Sequence, residues 1–288
     1  MIGWRARFAD TSIAPSPSRI RPLRRSPVSR TSVIVHLAIA AVGVLYLVTR
    51  QHTFAIDSLY YLWDTEFGDW HRLWHPHHLA IQPLMRGVWR VAEWFAWPGR
   101  AVLPLQIWNV VLTTGALALM WRLLIRLVSA RMAMAWLAVY AFSYLTWFQA
   151  TQTEGGPPFS LLAIAVLWIA VLLAQPRAQR APTAGMRVAL LAAAVTAAAV
   201  LVHQSLVLWA PLVAWFVARS APRGRRARAG LLTIGVAGAL VLSAYGLAGA
   251  WTNGTWSPTV LWSWFTGYSE EFADRCGALA NMISPDVP

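Results

Sequence analysis

Thr31-Ser-Val-Ile-Val-His-Leu-Ala-Ile-Ala-Ala-Val-Gly-Val-Leu-Tyr-Leu-Val-Thr49 runs for nineteen residues with no acid, no arginine and one histidine, His36. As a helix such a run is about 28 Å long, close to the hydrocarbon thickness of a bilayer. It therefore predicts a membrane span. Ahead of it, residues 1–30 hold seven arginines among Pro and Ser without an apolar period, which predicts a disordered, Arg-rich cytoplasmic arm. Arg-rich leaders also open targeting peptides, but a convincing small-residue cleavage site is lacking, so the run reads as a retained first helix.

Outward from this segment the same character recurs. Further apolar runs cover Ala101 to Met120, Met132 to Phe148, Pro157 to Ala174, Arg187 to Val202, Ser205 to Ala218 and Gly230 to Ala250. The expectation is an all-α, polytopic transmembrane bundle of about seven spans over residues 31–250, with a C-terminal segment at 251–288. The two runs flanking His203 are short, which leaves open two spans or one tight hairpin. Composition agrees: 58% of the 288 residues are hydrophobic and 12% charged, against about a quarter charged in a soluble domain. The net charge of +13 would suit nucleic acid if the arginines shared one face, but they fall between apolar runs, so no nucleic-acid partner is expected. The single cysteine, Cys276, excludes an internal disulfide framework.

Basic loops stay in the cytoplasm. If the seven runs alternate, the N-terminal arm and the clusters at Arg122/Arg126/Arg131, Arg177/Arg180/Arg187 and Arg219 to Arg228 all lie inside, and ten of the eleven acids lie outside. This predicts a multi-pass protein of a bacterial cytoplasmic membrane with its N-terminus inside. Leu79 to Trp97 could upset the count. Its Gln82, Arg86, Arg90 and Glu93 recur every three or four residues, which predicts an amphipathic helix lying in the interface within an outer loop at 50–100, among the surrounding membrane lipids.

That loop is the densest in reactive groups. On a helix, Asp57, Tyr60, Tyr61 and Asp64 fall at i, i+3, i+4 and i+7 and share a face. Arg72 and His75-Pro-His-His-Leu79 follow. Glu154, in Gln152-Thr-Glu-Gly-Gly-Pro-Pro158, and His203, in Val202-His-Gln-Ser205, reach the same membrane side by topology. Each has a plainer reading as a solvated loop or turn residue, and most of the 18 tryptophans are explained by interfacial belts.

Taken in order, Asp57-Ser-Leu-Tyr-Tyr61, His75-Pro-His-His-Leu79, Tyr144-Leu-Thr-Trp-Phe-Gln-Ala-Thr-Gln-Thr-Glu154 and Val202-His-Gln204 resemble the GT-C glycosyltransferases. Within that class the chain looks most like the bacterial relatives of protein O-mannosyltransferases and aminoarabinose transferases, over about Ile34 to Arg219. The resemblance implies a lipid-linked sugar donor, a polyprenyl phosphate, an acceptor it leaves unspecified, and transfer on the outer face with inversion. It implies Asp57 as the catalytic base, with Tyr60, Tyr61, Asp64, Arg72, His75, His77, Glu154 and His203 as substrate-binding candidates; no metal ligand is assigned, although a divalent cation is compatible. The chain departs from the family at Ser58, where an acid commonly pairs with Asp57, at His77, where a second Pro is common, and at Pro157-Pro-Phe159. The same residues also admit a non-catalytic envelope-assembly protein, or a metal-binding or transport protein built on His71, His75, His77 and His78.

Overall fold

A computed structural model describes residues 30–52, 56–153, 156–173 and 182–266, with the side chains of Arg30, Ile56, Asp57, Arg72 and residues 182–185 outside that description. The predicted arm before residue 30, Glu154, Cys276 and the end of the 251–288 segment lie outside the described residues. Among the described residues the structure is helical, without strands: α1 (Arg30–Val48), α2 (Ile56–Phe67), α3 (Ile81–Trp94), α4 (Val102–Leu127), α5 (Ala130–Ala141), α6 (Tyr144–Thr151), α7 (Gly156–Leu173), α8 (Pro182–Val202), α9 (Ala210–Ser220), α10 (Arg226–Asn253) and α11 (Pro258–Thr266).

Every predicted apolar run is helical, yet the runs are unequal. Among the described residues, four helical stretches, Thr31–Val48, Val102–Leu127, Gly156–Leu173 and Arg223–Asn253, are long and apolar enough to cross a membrane, and Met186–Val202 is a shorter apolar helix. The run at 132–148 is split into α5 and α6. Ser143 makes the split: its hydroxyl accepts from the Thr146 amide at 3.3 Å and so caps a new helix start. The carbonyl of Ala141, released from the helical ladder there, accepts the hydroxyl of Tyr46, a fully buried residue of α1. The run at 205–218 is also interrupted, opening as a 3-10 turn over Gln204–Trp209 before the eleven-residue α9.

Packing follows small residues. α8 and α10 meet through Ala193, Ala197 and Ala237, and α1 meets α4 at Gly43, where an added Cβ would stand 2.7 Å from Thr114. α10 ends at Gly254, whose φ of 65° is the left-handed conformation that glycine adopts without strain. α11 then folds back onto Gly249, where a Cβ would meet Leu261 at 2.8 Å. Large apolar side chains such as Leu37, Leu231 and Leu242 point away from the bundle.

α3 is amphipathic as its spacing predicts, but its polar stripe is divided. Gln82 and Arg86 are buried against α2, whereas Arg90 and Glu93 are exposed and pair with each other. Leu84, Val91, Trp94 and Phe95 are also exposed. Periodicity shows that a helix has two faces; here the protein, not solvent, takes part of the polar one, because α2 offers it acceptors.

Candidate functional site

The connection between α1 and α4 is bound to the helix ends by polar bonds from three directions. At the start of α2, the hydroxyl of Ser58 donates to Oε1 of Gln152 at 3.3 Å, and Thr153 donates its hydroxyl to the carbonyl of Ser58 at 3.3 Å. Gln152 donates its amide to Oε1 of Gln51 at 2.8 Å, Asn109 of α4 donates to the Gln152 carbonyl at 2.7 Å, and Gln106 donates to the carbonyls of Gln51 and Thr151, both at 2.9 Å. Ser58, Gln106, Asn109, Thr151, Gln152 and Thr153 are all buried. Buried amides stay in place only when their donors and acceptors are met, and this network meets them mutually.

Farther along α2, Asp64 accepts from the Gln82 amide at 3.2 Å. Arg86 donates from its two terminal nitrogens to the carbonyls of Thr65 and Gly68, and its guanidinium lies over the ring of Trp70. The last carbonyls of a helix lack partners within it, and a cation there also meets the negative end of the helix dipole. Arg86 is thus a cap built from a neighbouring helix. Burial, and then the charge of Arg90, hold its pKa below the usual guanidinium range. Glu66 does the converse: its carboxylate accepts from the Ala101 amide at 2.6 Å, at the start of α4, and pairs with Arg100 at 2.5 Å.

The third set is the histidines. Ala80, just after His75-Pro-His-His-Leu79, donates its amide to the Leu201 carbonyl at 2.9 Å and brings that motif to the end of α8. The rings of His78 and His203 are 4.7 Å apart, those of His75 and His78 6.3 Å, and those of His75 and His77 5.9 Å. Tyr61 stands edge-on to His78, and Phe159 of α7 edge-on to His203. Gln204 donates its amide to Nδ1 of His77 at 2.6 Å. His203 turns its Nδ1 back to accept from the amide of Ser205 at 3.3 Å and its hydroxyl at 2.8 Å, capping the 3-10 turn. Burial, with the neighbouring His203 and His77, pushes the His78 pKa down to about 4, and burial lowers that of His203. The His78 ring is therefore neutral at pH 7.

Two contacts tie the strap of residues 71–80, between α2 and α3, to α10: Tyr245 donates its hydroxyl to the Pro76 carbonyl at 2.8 Å, and Nδ1–H of His71 donates to the Trp251 carbonyl at 3.1 Å with the two rings stacked. Beside them a cavity of about 510 Å³ opens between the end of α8, α10 and α11. Its walls are almost wholly apolar, formed by Val200, Val241, Leu261, Trp264 and their neighbours, with Gln204 and Tyr245 as the polar exceptions.

Of the residues singled out from sequence, Tyr61, Asp64, His75, His77 and His203 therefore gather around α2, the strap and the end of α8. Tyr60 is part-buried on the same helix. Asp57 belongs to α2 and Arg72 to the turn Trp70–Arg72, with their side chains outside the description, as is Glu154. Thr153 precedes Glu154 and Ser58 follows Asp57, so a hydrogen bond joins the immediate neighbours of these two acids. Ser58, Gln106, Gln152, Gln204 and Tyr245 were not singled out; the available signal was Gln106 and Asn109 one turn apart inside an apolar run, where polar side chains call for partners. Among the described residues no group of three or more His, Cys, Asp or Glu side chains is arranged to hold a metal ion, so the geometry lends no support to a metal centre on the histidine strap. No protein-family model matches the chain, and no curated protein or solved structure is significantly similar to it.

Proposed function

We propose that this chain is a multi-pass bacterial cytoplasmic-membrane protein that transfers a sugar from a polyprenyl-phosphate donor to a hydroxyl-bearing envelope acceptor on the outer face. In this reading all seven apolar runs span, including the broken α5–α6 run and the short α9 run. The arginine clusters lie inside, and α3 rests in the interface on Leu84, Val91, Trp94 and Phe95.

The observation that supports it most is the double membership of Gln204, which lines the apolar cavity and holds His77 by a hydrogen bond. A polyprenyl chain needs apolar space, and its phosphate and sugar need polar partners. Here the two environments meet at one side chain.

Chemically, the acceptor oxygen attacks the anomeric carbon from the side opposite the phosphate, and configuration inverts. The bond from that carbon to the phosphate oxygen breaks, its electron pair leaves on the phosphate, and Asp57 takes the acceptor's proton. Arg72, His75, His77 and His203 are the groups we assign to the phosphate, since an imidazole donates an N–H in either charge state. The bonds among Ser58, Gln152 and Thr153 hold the chain beside Asp57 and Glu154, and orientation of this kind is a large share of catalysis. Label transferred from a radiolabelled polyprenyl-phosphate sugar by membranes carrying the wild type, and not by Asp57→Asn, is the expected result. Equal transfer by both removes Asp57 from the reaction, and none by either, with both inserted, favours the non-catalytic assembly reading.

A further inference from the structure

Charged side chains are sorted between the two ends of the bundle. Every acid whose side chain is described, Asp64, Glu66, Asp69 and Glu93, belongs to the connection between α1 and α4. Both ion pairs among the described residues, Arg90–Glu93 and Arg100–Glu66, lie there too. The opposite end is fixed by two contacts. Ser220, the last residue of α9, donates its hydroxyl to the carbonyl of Leu173, the last residue of α7, and Arg126, in the last turn of α4, stands 4.2 Å over the ring of Trp168 of α7. At this end the chain passes from α9 into α10 through the 3-10 turn Arg223–Arg225. Arg219, Arg223, Arg225, Arg226 and Arg228 crowd the corner, all exposed, with no described acid near them.

Exposed hydrocarbon runs directly into these cations. On α9, Leu212, Trp215 and Arg219 follow one another at steps of three and four residues, so they share a face, and all three are exposed. The guanidinium of Arg219 lies 5.4 Å over the ring of Trp215. On α10, Leu231 and Leu242 stand three and fourteen residues after Arg228, on its face of the helix, and are 70% and 74% exposed. Each helix thus presents an apolar stripe closed by a permanent cation. Nucleic acid would meet the cations and leave the stripes in water. An amphiphile with an anion above a hydrocarbon tail meets both.

We propose that the corner between α9 and α10 docks an acidic phospholipid, with its phosphate among Arg219, Arg225 and Arg228 and its acyl chains along Trp215, Leu231 and Leu242. Guanidinium groups pair with phosphate through two parallel N–H bonds, and the charge they carry here has no protein counter-ion among the described residues. The assignment stands apart from the sugar-transfer reading and from the number of spans. It requires only that this corner meet a bilayer surface, which places the end of the long apolar α10 at head-group level.

The test uses the full chain in dodecyl maltoside, an uncharged detergent, with bound lipids counted by native mass spectrometry. Palmitoyl-oleoyl phosphatidylglycerol and phosphatidylcholine share their tails and differ in net head-group charge. The expected result is phosphatidylglycerol held about tenfold more tightly than phosphatidylcholine. Arg219→Gln/Arg225→Gln/Arg228→Gln should bring the two lipids within about twofold of each other. The same three positions changed to Lys should keep the preference, because the charge remains, and Arg90→Gln at the other end of the bundle should keep it as well. Equal affinity of the wild type for the two lipids overturns the proposal, as does a preference that survives the glutamine triple or is lost equally in the lysine one. Displacement of phosphatidylglycerol by glycerol 1-phosphate makes phosphate alone the ligand, and displacement by polyuridylate makes it nucleic acid; either overturns the lipid assignment.

Discussion

Thr153 donates its hydroxyl to the backbone carbonyl of Ser58 across 3.3 Å, joining the residue before Glu154 to the residue after Asp57. The contact crosses 95 positions of chain and lies inside a buried amide network, so it is sensitive to loss of either partner. Thr153→Val, which keeps the shape and removes the hydroxyl, should cost about 1 kcal/mol, and Gln152→Leu, which orphans several buried groups, about 3 kcal/mol. Unfolding midpoints in mixed detergent–SDS micelles measure both. Equal stability of Gln152→Leu and wild type would show that the network does not hold α2 in place.

Arg86 should not be replaceable by lysine. Its fork reaches the carbonyls of Thr65 and Gly68 together, and an ammonium group lacks that planar reach. Arg86→Lys should lose about 2 kcal/mol and quicken proteolysis between α2 and α3. Glu93→Gln, which breaks only the exposed pair with Arg90, should change stability by less than about 0.5 kcal/mol.

Acid should destabilise the protein through His78. An unfolded histidine takes its proton near pH 6.5, whereas the folded ring, facing His203, His77, His75 and Tyr61, holds out to about 4. Between those values the unfolded chain carries the extra proton, so the stability contribution is whole above pH 6.5 and is lost as pH falls towards 4. The loss from His78 is on the order of 3 kcal/mol at the acid end. Thermal unfolding followed by tryptophan fluorescence at pH 7.5, 6.0 and 5.0 should show this slope, and His78→Phe should flatten it.

Span number is decided by which side Gly224 occupies. With Cys276→Ser as background, Glu93→Cys and Gly224→Cys are probed in intact cells with a membrane-impermeant maleimide. Seven spans put residue 93 outside and residue 224 inside, so only the first is labelled. If only α1, α4, α7 and α10 cross, residue 224 moves outside and both are labelled.

Helix content was legible because hydrocarbon length and composition leave little choice: each predicted run is helical in the structure. The break at Phe142–Ser143 was not, since a serine inside an apolar run looks like one tolerated polar residue until Tyr46 is seen at the freed carbonyl. The inward turn of Gln82 and Arg86 was equally hidden, because amphipathic spacing fixes two faces without saying which one meets protein. The site was legible as chemistry and not as geometry. His75, His77, His78 and His203 stand out as residue types on one predicted side, but the bond from Gln204 to His77 spans 127 positions, and no local pattern encodes such a pairing.

The hydroxyl of Tyr46 at the Ala141 carbonyl gives the first helix a duty in biogenesis. In the seven-span reading this carbonyl lies in hydrocarbon, where a group freed by a helix break finds no water, and its partner is made 95 residues earlier. The acceptor site is therefore provided for before the broken segment leaves the ribosome. If α5 and α6 span, a chain lacking α1 would insert them with that carbonyl orphaned, so the first helix would serve its later neighbour as an intramolecular chaperone, and the order of synthesis would become part of the design.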